Sequence, residues 1–209
     1  MMTTIEITRK TYILPLIKSI IDGNTEEAKW LVETFKLTAE DIRFNYNDIL
    51  MHTIEHGNLE LLRWLVEKFN LTVEDFKSDG RALQVAAAKD HLEIVRYIVE
   101  KFNPLQFNIR DVRSALGEAT IRGRLEVVRY LVEKFNLTPQ DIRYNDNEAL
   151  RISVYGGHLE VVRYLIEKFD IPTYPSIPIE KFLPVLISNG NVNIIKYLTE
   201  KFNLTFTRV

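Results

Sequence analysis

Two of the four histidines in the chain, His52 and His56, are four residues apart, and at this spacing two imidazoles on one helix face can hold a metal ion. The residues between them are Thr-Ile-Glu, so Glu55 stands next to His56 and the chain has no HExxH sequence. No third ligand is evident from the spacing. His91 and His158 recur at a turn position of a repeat described below. We therefore interpret the histidines as structural and predict neither a metal nor a cofactor.

Other residues that could do chemistry give no stronger signal. The absence of cysteine excludes thiolate nucleophiles, disulfides and cysteine-based zinc sites. There is no glycine-rich phosphate loop, and nothing suggests a Ser/His/Asp triad. Three Asn-Leu-Thr sequences match the glycosylation acceptor, but the start of the chain lacks the apolar core of a signal peptide. We predict a non-enzymatic, intracellular and cytoplasmic protein.

Six related segments recur along the chain, 33 or 34 residues apart: DGNTEEAKWLVETF (22–35), HGNLELLRWLVEKF (56–69), KDHLEIVRYIVEKF (89–102), RGRLEVVRYLVEKF (122–135), GGHLEVVRYLIEKF (156–169) and NGNVNIIKYLTEKF (189–202). Each segment carries one apolar stripe with the period of a helix, and a shorter apolar helix precedes each turn. One such pair cannot bury its own stripe, so neighbouring pairs must stack.

The repeat predicts an all-α fold, a right- or left-curving solenoid of six stacked helix-turn-helix repeats with no long β-hairpins. We expect one domain over residues 1–209, with repeats at 11–37, 38–71, 72–104, 105–137, 138–171 and 172–209. Three connectors carry Thr followed by Asp three residues later, a spacing similar to a capping box that predicts a short helical turn: Thr38 and Asp41, Thr72 and Asp75, Thr138 and Asp141.

Aromatic, basic and phenylalanine residues each recur once in every repeat. The aromatic positions are Trp30, Trp64, Tyr97, Tyr130, Tyr164 and Tyr197; the basic positions are Lys29, Arg63, Arg96, Arg129, Arg163 and Lys196; the phenylalanines are Phe35, Phe69, Phe102, Phe135, Phe169 and Phe202. We interpret the aromatic positions as packing between repeats and the phenylalanines as core. The basic positions could form a phosphate track. However, acidic positions recur beside them and the net charge is −2, which favours a solvated surface over a nucleic-acid groove.

The segment GHLEVVRYLIEK resembles the second helix of ankyrin repeats, for which G-H-L-E-V-V-K-x-L-L is typical. The likeness extends over roughly residues 11–205. The first helix keeps only L-x-x-A/S of the usual T-P-L-H-x-A, and connectors of the type LTxEDIR replace the ankyrin hairpin. This pattern is similar to the divergent ankyrin proteins that giant DNA viruses of amoebae encode in multiple copies. The resemblance implies a protein-binding scaffold, located in the host cytoplasm if the chain is viral.

Specificity should lie where the repeats differ, because the residues that stack must agree. The variable positions fall on the first helices and their entry loops, and the candidate partner-binding residues are Phe44, Tyr46, Met51, Glu55, Lys77, Arg81, Gln84, Arg113, Tyr144, Asp146, Arg151 and Tyr155. We predict that the chain, as a monomer, binds another protein and neither nucleic acid nor a membrane. The alternatives are an adaptor that recruits a target to host machinery such as a ubiquitin ligase, a nucleic-acid binder, and an enzyme on a repeat frame.

Overall fold

The computed structural model describes residues 4–77, 81–142, 144–171 and 179–204, with side chains at 12–45, 47–76, 81–142, 148–171 and 182–204. The chain divides into two compact units, residues 1–111 and 112–209. The described residues form helices joined by short turns and contain no β-strand. The all-α, helix-turn-helix prediction is therefore confirmed.

The first unit contains helices in pairs, each pair followed by a short connector. Their bounds are α1 (Thr4–Ile21), α2 (Thr25–Thr34), α3 (Ala39–Ile42), α4 (Phe44–Glu55), α5 (Leu59–Lys68), α6 (Val73–Lys77), α7 (Arg81–Ala88) and α8 (Leu92–Lys101). The first helices α1, α4 and α7 pack side by side, as do the second helices α2 and α5. This arrangement is the stacking that the apolar stripes require.

Helix α9 (Ile109–Ile121) spans the boundary, and the second unit continues with helices of the same kind. Their bounds are α10 (Leu125–Lys134), α11 (Pro139–Ile142), α12 (Tyr144–Tyr155), α13 (Leu159–Phe169), α14 (Ile179–Ser188) and α15 (Val192–Phe202). Within this unit α12 packs against α14, and α13 lies between α10 and α15.

A two-helix repeat turns at a glycine. Helix α4 ends at Glu55, Gly57 follows with a φ of +74°, and α5 begins at Leu59. The Asn58 side chain accepts a hydrogen bond from the Leu61 backbone N–H and caps α5. A positive φ is costly for any residue with a Cβ, which explains the glycine in five of the six turn motifs, while Asp90 takes this conformation in the third with a φ of +65°.

The connectors form the short helical turns predicted from the Thr-x-x-Asp spacing. In α3, the Thr38 hydroxyl accepts from the Asp41 backbone N–H and the Asp41 carboxylate accepts from the Thr38 N–H, which is a complete capping box. Thr138 and Asp141 make the same pair of contacts at α11. The third connector has no such threonine and instead forms a 3-10 helix over Pro104–Gln106, capped by Asn103.

The first helices bury the same register positions in successive repeats. The shared leucines and the short residues that follow them by three are all buried: Leu50, Leu83, Leu116 and Leu150, with Thr53, Ala86, Ala119 and Ser153. The two hydroxyls among them are satisfied locally, because each donates to a backbone carbonyl of its own helix. The phenylalanines at the ends of the second helices agree less well with prediction. Phe169 alone among them is buried, Phe35 is exposed, and the other four are partly exposed: Phe69, Phe102, Phe135 and Phe202.

Candidate functional site

The first helices combine a uniform buried side with a varied exposed side. The residue immediately before the turn motif has a side chain that is exposed or partly exposed in the second to sixth repeats: Glu55, Ala88, Ile121, Tyr155 and Ser188. These five residues occupy one register position, yet they are an acid, a small residue, an aliphatic residue, an aromatic residue and an alcohol. The frame therefore holds chemically unlike side chains at equivalent places.

In the first unit, the candidate residues lie along α4 and the neighbouring α7. Phe44 begins α4 with 38% of its side chain exposed, and Met51 and Glu55 are partly exposed further along the helix. Arg81 is exposed at the start of α7, and Gln84 is partly exposed one turn later. Because α4 and α7 pack against each other, these side chains belong to adjacent rows of one surface.

In the second unit, Arg151 and Tyr155 lie one turn apart on α12. Arg151 is partly exposed and Tyr155 is 38% exposed. The Tyr155 ring packs edge-on against Phe182 of α14, with the two centroids 5.1 Å apart. Tyr155 thus presents one side to solvent and is held in place by the other, which limits the rotamer entropy it would lose on binding.

Four candidates have side chains outside the described residues. Tyr144 and Asp146 belong to α12, Tyr46 belongs to α4, and Lys77 ends α6. The sequence placed these residues in entry loops, whereas their backbone is helical, because each first helix or connector helix includes its entry segment. Their role in binding stays a prediction.

Arg113 has a structural contact that its sequence position did not reveal. Its guanidinium donates a 2.8 Å hydrogen bond to Oδ1 of Asp141, and only 28% of the Arg113 side chain is exposed. The same carboxylate accepts from Thr138, and hydrogen bonds from Thr138 and then Arg113 lower the pKa of Asp141 against a smaller opposing effect of burial. Arg113 therefore links one repeat to the connector of the next.

The turn histidines have the structural role expected of them. Nε2 of His91 lies 3.0 Å from the Glu55 carbonyl oxygen, and Nε2 of His158 lies 2.7 Å from the Ile121 carbonyl oxygen. A carbonyl can only accept, so each ring donates from Nε2. Each histidine thereby satisfies the C-terminal end of the first helix in the preceding repeat.

Three of the six recurring basic residues on the second helices lie over aromatic rings of the following repeat. The guanidinium of Arg63 is 5.1 Å from the Tyr97 ring centroid, that of Arg129 is 4.8 Å from Tyr164, and that of Arg163 is 4.5 Å from Tyr197. These distances are typical of cation–π contacts. At these three places the two sets of recurring residues pack on each other, as predicted for the aromatic positions, but Trp30 of the first repeat is 60% exposed.

Near the turn of α4, the side chains of His52, Glu55 and His56 come together. One potential ligand atom of each lies within 4.8 Å of the other two. The Glu55 carboxylate also pairs with Lys89 at 3.0 Å. The hydrogen bond from Lys89, followed by the weaker fields of the two histidines, lowers the pKa of Glu55 although burial opposes this. The sequence pattern showed the two histidines but not that Glu55 approaches them.

A sequence model of a family described as ankyrin repeats (three copies) matches residues 16–111 and 102–174. The chain belongs to the ankyrin-repeat family. Ankyrin repeats are in general protein–protein interaction modules. A comparison with individual curated proteins found no match.

This ankyrin-repeat chain also exposes apolar side chains that the sequence analysis did not select as binding residues. Leu105, in the connector with the 3-10 helix, is 90% exposed, and Ile187 on α14 is 65% exposed. The third connector lacks the Thr-x-x-Asp pattern, and this departure could have indicated that Leu105 is exposed. Ile187 had no comparable signal, because its helix keeps an apolar pattern along much of its length.

No helix among the residues that the structure describes is both long enough and apolar enough to cross a membrane.

Proposed function

We propose that this ankyrin-repeat chain binds a partner protein through the varied side chains of its first helices and entry loops, and that it is not an enzyme. The observation that carries the proposal is the register position before the turn, where equivalent places on a common frame carry Glu55, Ala88, Ile121, Tyr155 and Ser188. A frame fixed by stacking presents these side chains without ordering on association, so little conformational entropy opposes binding.

The partner is proposed to be a protein rather than a nucleic acid. Three of the arginines that could have bound successive phosphates, Arg63, Arg129 and Arg163, lie over tyrosine rings instead. A fourth, Arg96, forms an ion pair with Glu93. Tyrosine and arginine are the residue types that most often dominate protein interfaces, and Arg151 and Tyr155 on α12 are the strongest candidates.

The LTxEDIR-type connectors, which replace the usual ankyrin hairpin, support two further proposals about the type of protein and its location. We propose that the chain is of the divergent type found in multiple copies in giant DNA viruses of amoebae. We also propose that it acts as a monomer in the cytoplasm, which is the cytoplasm of the host if the chain is viral. An adaptor role, in which the bound target is delivered to machinery such as a ubiquitin ligase, would require a second partner in the same complex.

Affinity capture from the native cell, followed by mass spectrometry, tests the proposal. Arg151→Ala should reduce recovery of the partner about tenfold or more, because truncating a hot-spot arginine that the partner buries weakens the binding free energy by roughly 2 kcal/mol. Glu160→Ala, on the exposed side of α13 in the same unit, is the matched control and should leave recovery unchanged. The thermal midpoint is measured for both variants.

Equal recovery by wild type and Arg151→Ala, together with equal recovery by Tyr155→Ala, would contradict the assigned surface. Because Tyr155 also packs on Phe182, its variant is interpreted only after correction for any fall in the thermal midpoint. Recovery of ligase subunits together with the partner would favour the adaptor. Turnover of a substrate by the purified chain would contradict the non-enzymatic assignment.

A further inference from the structure

Three side chains able to ligate a metal lie together at the C-terminal end of α4, two on its last turn and one, that of His56, on its C-cap residue. His52, Glu55 and His56 occupy positions i, i+3 and i+4, which share one helix face. One ligand atom of each lies within 4.8 Å of the other two. We propose that these residues, here called the His52 cluster, bind a divalent transition-metal ion of the Zn²⁺ class.

The Glu55 carboxylate has one oxygen available to the ion. Its Oε1 pairs with Nζ of Lys89 at 3.0 Å, whereas its Oε2 lies 3.9 Å from Nδ1 of His52. Ligand atoms bound to tetrahedral zinc at about 2.0–2.2 Å are roughly 3.3–3.5 Å from one another. Small torsional changes of the side chains therefore bring the cluster to ligating distances, and the ion pair with Lys89 does not have to break.

The His52 ring carries a polar atom whose hydrogen-bonding capacity is unused. Its Nδ1 is shielded from solvent and has no hydrogen-bond partner among the described residues. Leaving such an atom unsatisfied costs free energy. A metal ion between His52 and Glu55 would give this nitrogen a ligand bond in place of the missing hydrogen bond.

The His56 ring is oriented by its own helix. Its Nδ1 lies 2.9 Å from the His52 backbone carbonyl oxygen. Because the carbonyl accepts, Nδ1 carries the proton and Nε2 keeps the lone pair that a metal needs. A carbonyl contact of this kind fixes both tautomer and ring orientation in metal sites generally.

The donor set indicates the class of ion. Two imidazoles and one carboxylate suit Zn²⁺, with Cu²⁺ and Ni²⁺ also able to bind, whereas Mg²⁺ and Ca²⁺ prefer oxygen ligands alone. The chain has no cysteine, and its other two histidines, His91 and His158, already use Nε2 on backbone carbonyls. One ion per chain is therefore expected. This proposal does not depend on the proposed partner binding, although Glu55 belongs to both sets of residues.

Calorimetric titration of tag-free, metal-free protein with Zn²⁺ tests the proposal, with Co²⁺ absorption as a report of the coordination sphere. We expect one ion per chain. The variants His52→Gln, His56→Gln and Glu55→Gln should each bind at least about tenfold more weakly, since the loss of an outer-shell partner alone costs 10–100-fold. The matched control, His158→Gln in the second unit, should bind as wild type does.

Zinc should also raise the thermal midpoint of wild type but not that of His52→Gln, because an ion that binds only the folded state stabilises it. Midpoints without metal establish that each variant folds. The proposal is overturned if wild type shows no saturable binding up to millimolar zinc, or if His52→Gln and His56→Gln bind as wild type does. Unchanged binding by Glu55→Gln would overturn the three-ligand assignment.

Discussion

Arg43 and Asp75 are 32 residues apart in the chain and form a two-pronged ion pair in the fold. Nε of Arg43 donates to Oδ1 at 2.5 Å and Nη2 donates to Oδ2 at 3.0 Å. The same Asp75 carboxylate accepts from the Thr72 backbone N–H, so it caps its own helix while it holds the preceding connector. Arg113 and Asp141 repeat this relationship with one hydrogen bond.

Asp75→Asn should lower the free energy of unfolding by about 1–3 kcal/mol, because it removes the charge from a set of hydrogen bonds in which the acceptor is almost wholly buried. Urea unfolding followed by circular dichroism measures the loss. Asp22→Asn, at an exposed position, is the matched control and should change stability by less than about 0.5 kcal/mol. Equal effects of the two substitutions would contradict the role assigned to Asp75.

The Asp75 pair should also make stability depend on pH. Burial favours the protonated acid, but hydrogen bonds from Arg43 and Thr72 outweigh it and hold the pKa of Asp75 below its usual value. A depressed folded-state pKa contributes stability above the unfolded pKa of about 3.9, and this contribution is lost as pH falls further, through the folded-state pKa. The stability difference between wild type and Asp75→Asn should therefore be constant from pH 7 to about pH 5 and shrink below about pH 4. A difference that grows on acidification would contradict this sign.

Two glycines with the same backbone conformation should respond differently to alanine. Gly23 and Gly57 have φ values of +75° and +74°, but a Cβ at Gly23 would meet nothing within 4 Å, whereas one at Gly57 would lie 2.7 Å from Cε1 of His91. Both variants carry the cost of a left-handed conformation, about 1–2 kcal/mol. Gly57→Ala should lose about 1–3 kcal/mol more because of the overlap with the ring.

Urea unfolding of the two glycine variants measures this difference. The double variant Gly57→Ala/His91→Ala should show a coupling energy of about 1 kcal/mol or more, since the second change removes the overlap. Additive effects would mean that the His91 ring moves aside without cost.

Tyr164→Phe should leave stability unchanged or raise it by up to about 1 kcal/mol, because the hydroxyl is buried without a hydrogen-bond partner among the described residues. Burial, followed by the nearby carboxylate of Glu133, raises the pKa of Tyr164 although Arg129 opposes this. Ionisation of Tyr164 changes the ultraviolet absorbance of wild type at alkaline pH, and the variant lacks this change. The midpoint of the change should accordingly lie above the usual tyrosine pKa of about 10. If the transition that the variant lacks has its midpoint at or below about pH 10, the Tyr164 hydroxyl is solvated.

The periodicity predicted the helices and the short connectors because those features depend on residues that are close in the chain. The capping box of Thr38 and Asp41 is an example, since its two partners are three residues apart. The pairing of Arg43 with Asp75 was not predicted, because spacing in the sequence does not state how far one repeat is rotated against the next. For the same reason the contact of Arg113 with Asp141 was not predicted, and the role of Arg113 in binding stays a prediction.

Burial of the recurring phenylalanines was predicted less well than burial of the shared leucines on the first helices. Phe169 is buried as expected and Phe35 is 45% exposed, while the other four are partly exposed, because a common sequence position does not guarantee equal cover from neighbouring repeats. The candidate binding residues were chosen by variation among the repeats, which identifies positions not needed for stacking. Variation does not distinguish a side chain selected to bind from one that is merely tolerated.

The contact between Gly57 and His91 restricts how such a chain could lengthen or shorten. If a repeat carries histidine at the position of His91, the repeat before it must carry glycine at the position of Gly57, because a Cβ there would overlap the histidine ring. Where Asp90 stands in place of glycine, the following repeat carries Arg124 instead of histidine or asparagine. Duplication or grafting should therefore succeed when two adjacent repeats are transferred together, so that the turn and the side chain that fits it stay matched.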